Sequence, residues 1–177
     1  MTDAKEYGLA LFALAEESGR VEAILGDLKT ICGVFRDTPE YKKLLDTPAI
    51  PKNERLALVN EAFTSVDEYA LNTLKILCER RSARLFESVA EAFEAEYDRV
   101  RGIERVTAVT AVAMSDGQIA ALTSKLEKIT GKTVIVKNTV DPSILGGVKL
   151  RYMGIQLDGS IKTRLDSFSE SLSNTVI

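Results

Sequence analysis

Apolar positions recur through the first hundred residues at a helical period and then switch to a strand period. Val21, Ile24, Leu25, Leu28, Ile31, Cys32 and Phe35 keep a 3.6-residue spacing over four turns, so they predict one helix with one buried stripe. Residues 3–20 predict a helix before it. Pro39, after Asp37 and Thr38, suits the first turn of a short helix, and Pro48 and Pro51 bracket a loop. Leu56, Val59 and Phe63 mark another short helix. Two longer ones follow over about 67–81 and 83–100, the second with Phe86, Val89, Phe93, Tyr97 and Val100 on one side. That makes about six helices with short connections, which favours antiparallel neighbours in a compact bundle over residues 1–102.

Past Arg101-Gly102 the pattern changes. Val106 to Val112 is dense in Val, Thr and Ala, which suits a strand. Ser115 with Gln118 three positions on has capping-box spacing, and the helix it starts is expected to end near Gly131. Thr133 to Val140 reads as a second strand. Val148, Leu150 and Tyr152 alternate, Ile155 and Leu157 continue beyond Gly154, and Ile161, Leu165, Phe168 and Leu172 predict a last helix. The expected fold class is mainly α: an N-terminal six-helix bundle followed by a small α+β C-terminal domain over 103–177.

Composition narrows the chemistry. The chain has 177 residues, 45% hydrophobic and 28% charged, and no apolar run approaches the ~18 residues that span a bilayer. The start, with Asp3 and Glu6, lacks the basic segment and cleavage site of a signal peptide, so a cytosolic protein is expected. There is no histidine, and Cys32 and Cys78 make neither a zinc pattern nor a disulfide framework; both read as reduced core residues. Residues 1–102 carry 14 Lys and Arg against 19 Asp and Glu, a net of −5; residues 103–177 carry 9 against 7, a net of +2. Neither half is basic enough to make nucleic acid its main partner.

Most candidate motifs dissolve on their spacing. Gly131-Lys132-Thr133 resembles the end of a phosphate-binding loop, but Leu126 stands where the first glycine is needed, and a helix precedes it where a strand should. It reads as a helix terminus. Gly146-Gly147 reads as a turn or bulge, and Asp158-Gly159-Ser160 as a strand-to-helix turn. The Glu79–Arg84 run reads as a solvated helix end, and Glu16-Glu17 or Glu94 with Glu96 as surface charge. Helix one is less ordinary. Tyr7, Ala10, Leu11 and Leu14 fall on one side and Leu9, Phe12 and Ala13 on the other, so the helix is either fully buried or shared with a partner. In helix five, Ala70, Leu71, Leu74, Leu77 and Cys78 form a core stripe, and Asn72 and Ile76 point away from it.

Three blocks carry a family resemblance: Tyr7-Gly8-Leu9-Ala10-Leu11-Phe12-Ala13-Leu14-Ala15, then Val140-Asp141-Pro142-Ser143-Ile144-Leu145-Gly146-Gly147, then Leu157-Asp158-Gly159-Ser160-Ile161-Lys162-Thr163-Arg164-Leu165. With these the chain resembles, over essentially its whole length, the delta subunit of bacterial F-type ATP synthases, relative of the mitochondrial oligomycin-sensitivity-conferring protein. The resemblance implies a non-catalytic stator subunit of the peripheral stalk, without a cofactor or metal. It implies a helical domain that binds the N-terminal segments of the alpha subunits through helices one and five. The matching positions are Tyr7, Ala10, Leu11, Leu14, Asn72 and Ile76. It also implies a C-terminal domain that meets the C-terminal helices of the b subunits, and a place on the cytoplasmic face of the cell membrane, which it touches only through the complex. Gly8 stands where the family usually has Ala, and is expected to weaken helix one by up to ~1 kcal/mol. Met153-Gly154 replaces the common Gly-Asp. The alternative reading, a small nucleic-acid-binding module, is weakened by a sheet region with Tyr152 as its only aromatic. A small carboxylate enzyme is a third reading, and no motif supports it.

Overall fold

The computed structural model describes residues 2–144, 146–152 and 155–158. The chain divides into two compact units, residues 1–100 and 101–177, and is mainly helical with one small sheet.

The first unit contains α1 (Thr2–Glu17), α2 (Val21–Asp37), α3 (Pro39–Asp46), α4 (Lys52–Ala62), α5 (Glu68–Glu79), a 3-10 turn (Ala83–Leu85) and α6 (Phe86–Arg101). The α2 stripe is buried at Val21, Ile24, Leu28, Ile31 and Phe35. Phe35 is the centre of an aromatic cluster, with ring centroids 6.1 Å from Tyr41, 6.5 Å from Phe63 and 5.9 Å from Phe86. The Phe63 and Phe86 contacts are edge-to-face, and pairs of that geometry add ~0.5–1.5 kcal/mol to what area burial alone supplies. Phe12 and Phe93 make a second such pair at 5.4 Å, joining α1 to α6.

Two turns of the first unit are tied by carboxylates. Asp46 accepts from the backbone N–H of Ala83 at 2.6 Å and of Arg84 at 3.2 Å, closing the turn before α6. Asp67 is the N-cap of α5: its side chain accepts from Tyr69 N–H at 2.8 Å and from the Arg20 guanidinium at 2.9 Å, and its own N–H donates to Asp27 at 2.8 Å. Asp67→Ala removes the cap and one end of the Arg20 contact together. It is expected to cost roughly 1–2 kcal/mol in urea unfolding, whereas Asp67→Asn, which keeps a capping oxygen, recovers most of that.

Gly8 corrects the expectation of a weak spot in α1. A Cβ there would sit 2.6 Å from the Ala92 Cβ and 2.7 Å from the Val89 carbonyl oxygen. The glycine lets α1 and α6 approach closely, and the helix propensity it forgoes is offset by that packing.

In the second unit, β1 (Ile103–Thr110) lies beside β2 (Thr133–Val140) in parallel, joined by α7 (Asp116–Thr130); β3 (Val148–Tyr152) and β4 (Ile155–Asp158) add antiparallel, giving the order β2-β1-β3-β4. The first strand begins three residues earlier than its β-branched content predicts and ends at Thr110, whose hydroxyl donates to the Val112 carbonyl and turns the chain. The capping box on α7 is complete, with both Ser115 and Gln118 bonds present, and Gly131 ends the helix in the left-handed region at φ 68°. Asn138 pins the β1–α7 loop to the sheet: its amide N–H groups reach the Ala108 carbonyl and the Thr110 hydroxyl, and its oxygen accepts from Met114 N–H. Val106, Ala108, Val109, Val134 and Ile144 are the buried apolar residues described in this unit. The last predicted helix, with Ile161, Leu165, Phe168 and Leu172, the Met153-Gly154 turn and the Gly159-Ser160 pair lie outside the described residues.

Candidate interaction surface on the helical unit

The face that helix α1 turns outward follows from which of its residues are taken by the core. Ala4, Gly8, Leu11, Phe12 and Ala15 are buried, a stripe at i, i+4, i+7, i+8 and i+11. This divides the helix differently from the sequence expectation. Leu11 and Phe12, placed there on opposite sides, are 3% and 5% exposed and belong to one core stripe. Leu11 is therefore corrected from the surface set to the core. An apolar side chain can sit at the edge of either side of a helical wheel, and only the neighbouring helix decides which edge is covered. Tyr7 stays half-buried, Ala10 is exposed, and Leu14 is 46% exposed.

Helix α5 buries Ala70, Thr73, Leu74, Leu77 and Cys78. Thr73 fits the core because its hydroxyl donates to the Tyr69 carbonyl at 2.8 Å, while Leu71, expected in the core, is only half-buried. Asn72 is exposed and Ile76 is 43% exposed, as their positions on the wheel predict.

Two contacts fix how the helices run. Just past the end of α1, the Arg20 guanidinium meets Asp67, Glu68 and the Tyr69 ring, 4.5 Å from the ring centroid, at the start of α5. Near the start of α1, the Tyr7 ring has the Arg80 guanidinium 5.7 Å from its centroid, at the end of α5. The helices are therefore antiparallel neighbours. Tyr7, Ala10 and Leu14 form one rail, and Asn72, Ile76 and Arg80 (successive i+4 positions) form the other. Asp3, Glu6, Tyr7, Ala10 and Arg80 line a shared depression at one end. Arg80, Asp3 and Glu6 escape sequence reasoning. The signal for Arg80 is present: it continues the Asn72–Ile76 spacing one turn further, within a run that reads as solvated charge.

Among the described residues no comparable constellation of catalytic side chains is brought together. A groove between α2 and α6 is lined by Leu25, Lys29, Cys32, Arg36, Glu87 and Glu94 among others, but Lys29 and Glu94 pair at 2.9 Å. Burial, helped by the nearby Glu87 carboxylate, pushes the Cys32 thiol up to about 11, so it is not a thiolate nucleophile at neutral pH. Burial and the nearby Asp46 carboxylate push buried Cys78 up to about 12. Among the described residues no cluster of three His, Cys, Asp or Glu could hold a metal ion. No described helix is long and apolar enough to cross a membrane. Gly131-Lys132-Thr133 forms a helix end and a strand start, with the Lys132 ammonium on buried Glu104, so it is not a phosphate loop.

Comparison with known proteins places this architecture. The family described as ATP synthase delta (OSCP) subunit matches residues 4–172. The chain is 33% identical over 170 residues to the ATP synthase subunit delta of Geobacillus sp. strain WCH70, covering 96% of each chain. It is 31% identical over 175 residues to that of Clostridioides difficile, covering 98% of this chain and 97% of the other. A chain in the cryo-EM structure of the Toxoplasma gondii mitochondrial ATP synthase hexamer shares the fold, with a TM-score of 0.75 over 96% of both chains at 24% identity. With a family match over nearly its whole length and bacterial relatives above 30% identity, the chain belongs to the ATP synthase delta (OSCP) subunit family.

Proposed function

We propose that this chain is a non-catalytic stator subunit of the peripheral stalk of a bacterial F-type ATP synthase, linking the catalytic head to the stalk so that the head does not turn with the rotor. Its partners are other ATP synthase subunits. The six helices of the first unit act as one bundle that takes the N-terminal helical segments of the alpha subunits. The second unit takes the C-terminal helices of the b subunits. The protein sits peripherally on the cytoplasmic face of the cell membrane, held there by the complex.

The observation that carries this reading is the α1/α5 strip. Leu14 and Ile76 expose nearly half of their apolar surface on adjacent antiparallel helices, with Tyr7 and Ala10 between charged groups at one end. An amphipathic helix laid along two such rails buries its apolar face there, the helix-in-groove mode of recognition. The function asks for nothing but tight binding at both ends, and nanomolar affinity, ~12 kcal/mol, is within reach of a few buried anchors. Calorimetric titration with a peptide spanning the N-terminal segment of the same organism's alpha subunit tests it: saturable submicromolar binding is expected. Absence of binding to both the peptide and the assembled head would sink the head-side assignment.

A further inference from the structure

The strand register of the second unit sorts its charges onto one face of the sheet. Cross-strand partners point the same way, so the pairs Arg105–Ile135, Thr107–Lys137 and Val109–Thr139 between β1 and β2, and Thr107–Arg151 and Val109–Lys149 between β1 and β3, all belong to one surface. Across three successive rows that surface carries Arg105; then Lys137 and Arg151 flanking Thr107; then Lys149. Arg105, Lys137 and Arg151 are exposed and Lys149 is half-buried. No carboxylate occurs at the positions of β1, β2 or β3 on this face. The acid in β1, Glu104, faces the other way, where it holds Lys132. Among the described residues, acids lie at the margin of this face. Asp158 of β4 continues the Lys149 row. Asp141, just past β2, accepts from Ser143 and is held below the usual carboxylate range by those hydrogen bonds, with Lys149 and Arg151 near enough to add to the effect. Among these cations Ile135, on the edge strand, is 42% exposed.

A unit of small net charge with its cations gathered on one side presents a directional field. Successive rows on one face are about 6.7 Å apart, two residues along a strand, and carboxylates at i and i+4 of an α-helix are separated by a rise of about 6 Å. An acidic helix with one apolar edge thus meets successive cationic rows while covering Ile135. We propose that this basic face receives an acidic amphipathic helix of the b subunit, with Ile135 as its apolar anchor, an assignment that rests on the stalk-linking function proposed above.

The test titrates the full chain with the soluble C-terminal portion of the b subunit of the same complex, using the parent, K137E/R151E and the milder K137Q/R151Q. Both side chains are exposed, so the far-UV spectrum and melting curve should stay those of the parent. The parent should bind, and less tightly as salt rises from about 0.05 M to about 0.3 M. The reversal pair should lose about tenfold or more in affinity and the glutamine pair less, with titration of the alpha-subunit peptide unaffected by either. If the parent and the reversal pair bind the b segment alike, the face is wrong while the stalk function stands. If the parent does not bind that segment at any salt, the stalk function fails and the face with it. Loss of binding to anionic phospholipid vesicles or single-stranded RNA, with the b segment still held, also overturns the proposal by assigning the face to another partner.

Discussion

Ile76→Glu is expected to lower affinity for the alpha-subunit segment by about 100-fold or more, roughly 2.7 kcal/mol, with the fold intact. The asymmetry comes from where Ile76 sits. At 43% exposure its loss removes little from the core of the free chain, and a glutamate four residues before Arg80 makes a favourable exposed helix pair. On docking the same carboxylate must be stripped of water against an apolar ridge, which costs several times what it contributed in solution. Ile76→Ala separates burial from charge: losing only the apolar contact should weaken binding about tenfold. Calorimetry gives the affinities and a thermal melt gives the fold. An Ile76→Glu chain that binds within a factor of about three of the parent, with the same melt, would show that the α1/α5 strip is not the docking surface.

Gly8 gives the second large effect, with a sign opposite to helix propensity. Gly8→Ala gains about 1 kcal/mol of propensity in α1. It also drives a methyl carbon to 2.6 Å from Ala92 and 2.7 Å from the Val89 carbonyl oxygen, which belongs to backbone and does not swing aside. Overpacking of this kind costs about 1–3 kcal/mol, so the alanine chain should be less stable by about 1 kcal/mol, and Gly8→Val by about 3 kcal/mol or more. For a unit of about a hundred residues each kcal/mol is worth about 4–8 °C in the melt of the helical unit. A Gly8→Ala chain that melts at or above the parent temperature would mean that α1 and α6 part without penalty. Docking should suffer as well, because α1 carries the Tyr7–Leu14 rail on the same helix that Gly8 seats.

What could be read from the sequence alone follows from which signals are local. Helix α2, the α7 capping box and the Gly131 terminus depend on spacing within one segment, and residues 21–35, Ser115 with Gln118, and Gly131 express them directly. The outward placement of Asn72 and Ile76 was legible for the same reason: one strong stripe leaves only one opposite side. In α1 there were two apolar sides. Whether Leu11 or Leu14 is covered depends on α5 and α6, so the wheel could not separate core from surface. Nor could any local rule show that Gly8 faces Ala92, eighty-four positions away in the chain, or that Arg80 turns back over Tyr7. The basic sheet face was invisible at net charge +2, because only the register sends Lys137 and Arg151 to one side and Glu104 to the other.

The parallel pairing of β1 with β2 carries a consequence for how the protein comes into being. In the helical unit the pairs α1–α2, α2–α3 and α4–α5 are neighbours along the chain, and local contacts of that kind form fast. Strand β1 has no such option. Its parallel partner begins at Thr133, and the crossover through α7 must form before the two can zip together. During synthesis the helical unit emerges first and folds as a unit, while β1 waits for its partner to follow. A nascent chain would therefore present the α1/α5 strip before the sheet exists, so docking at the surface proposed to face the head can precede completion of the unit proposed to face the stalk.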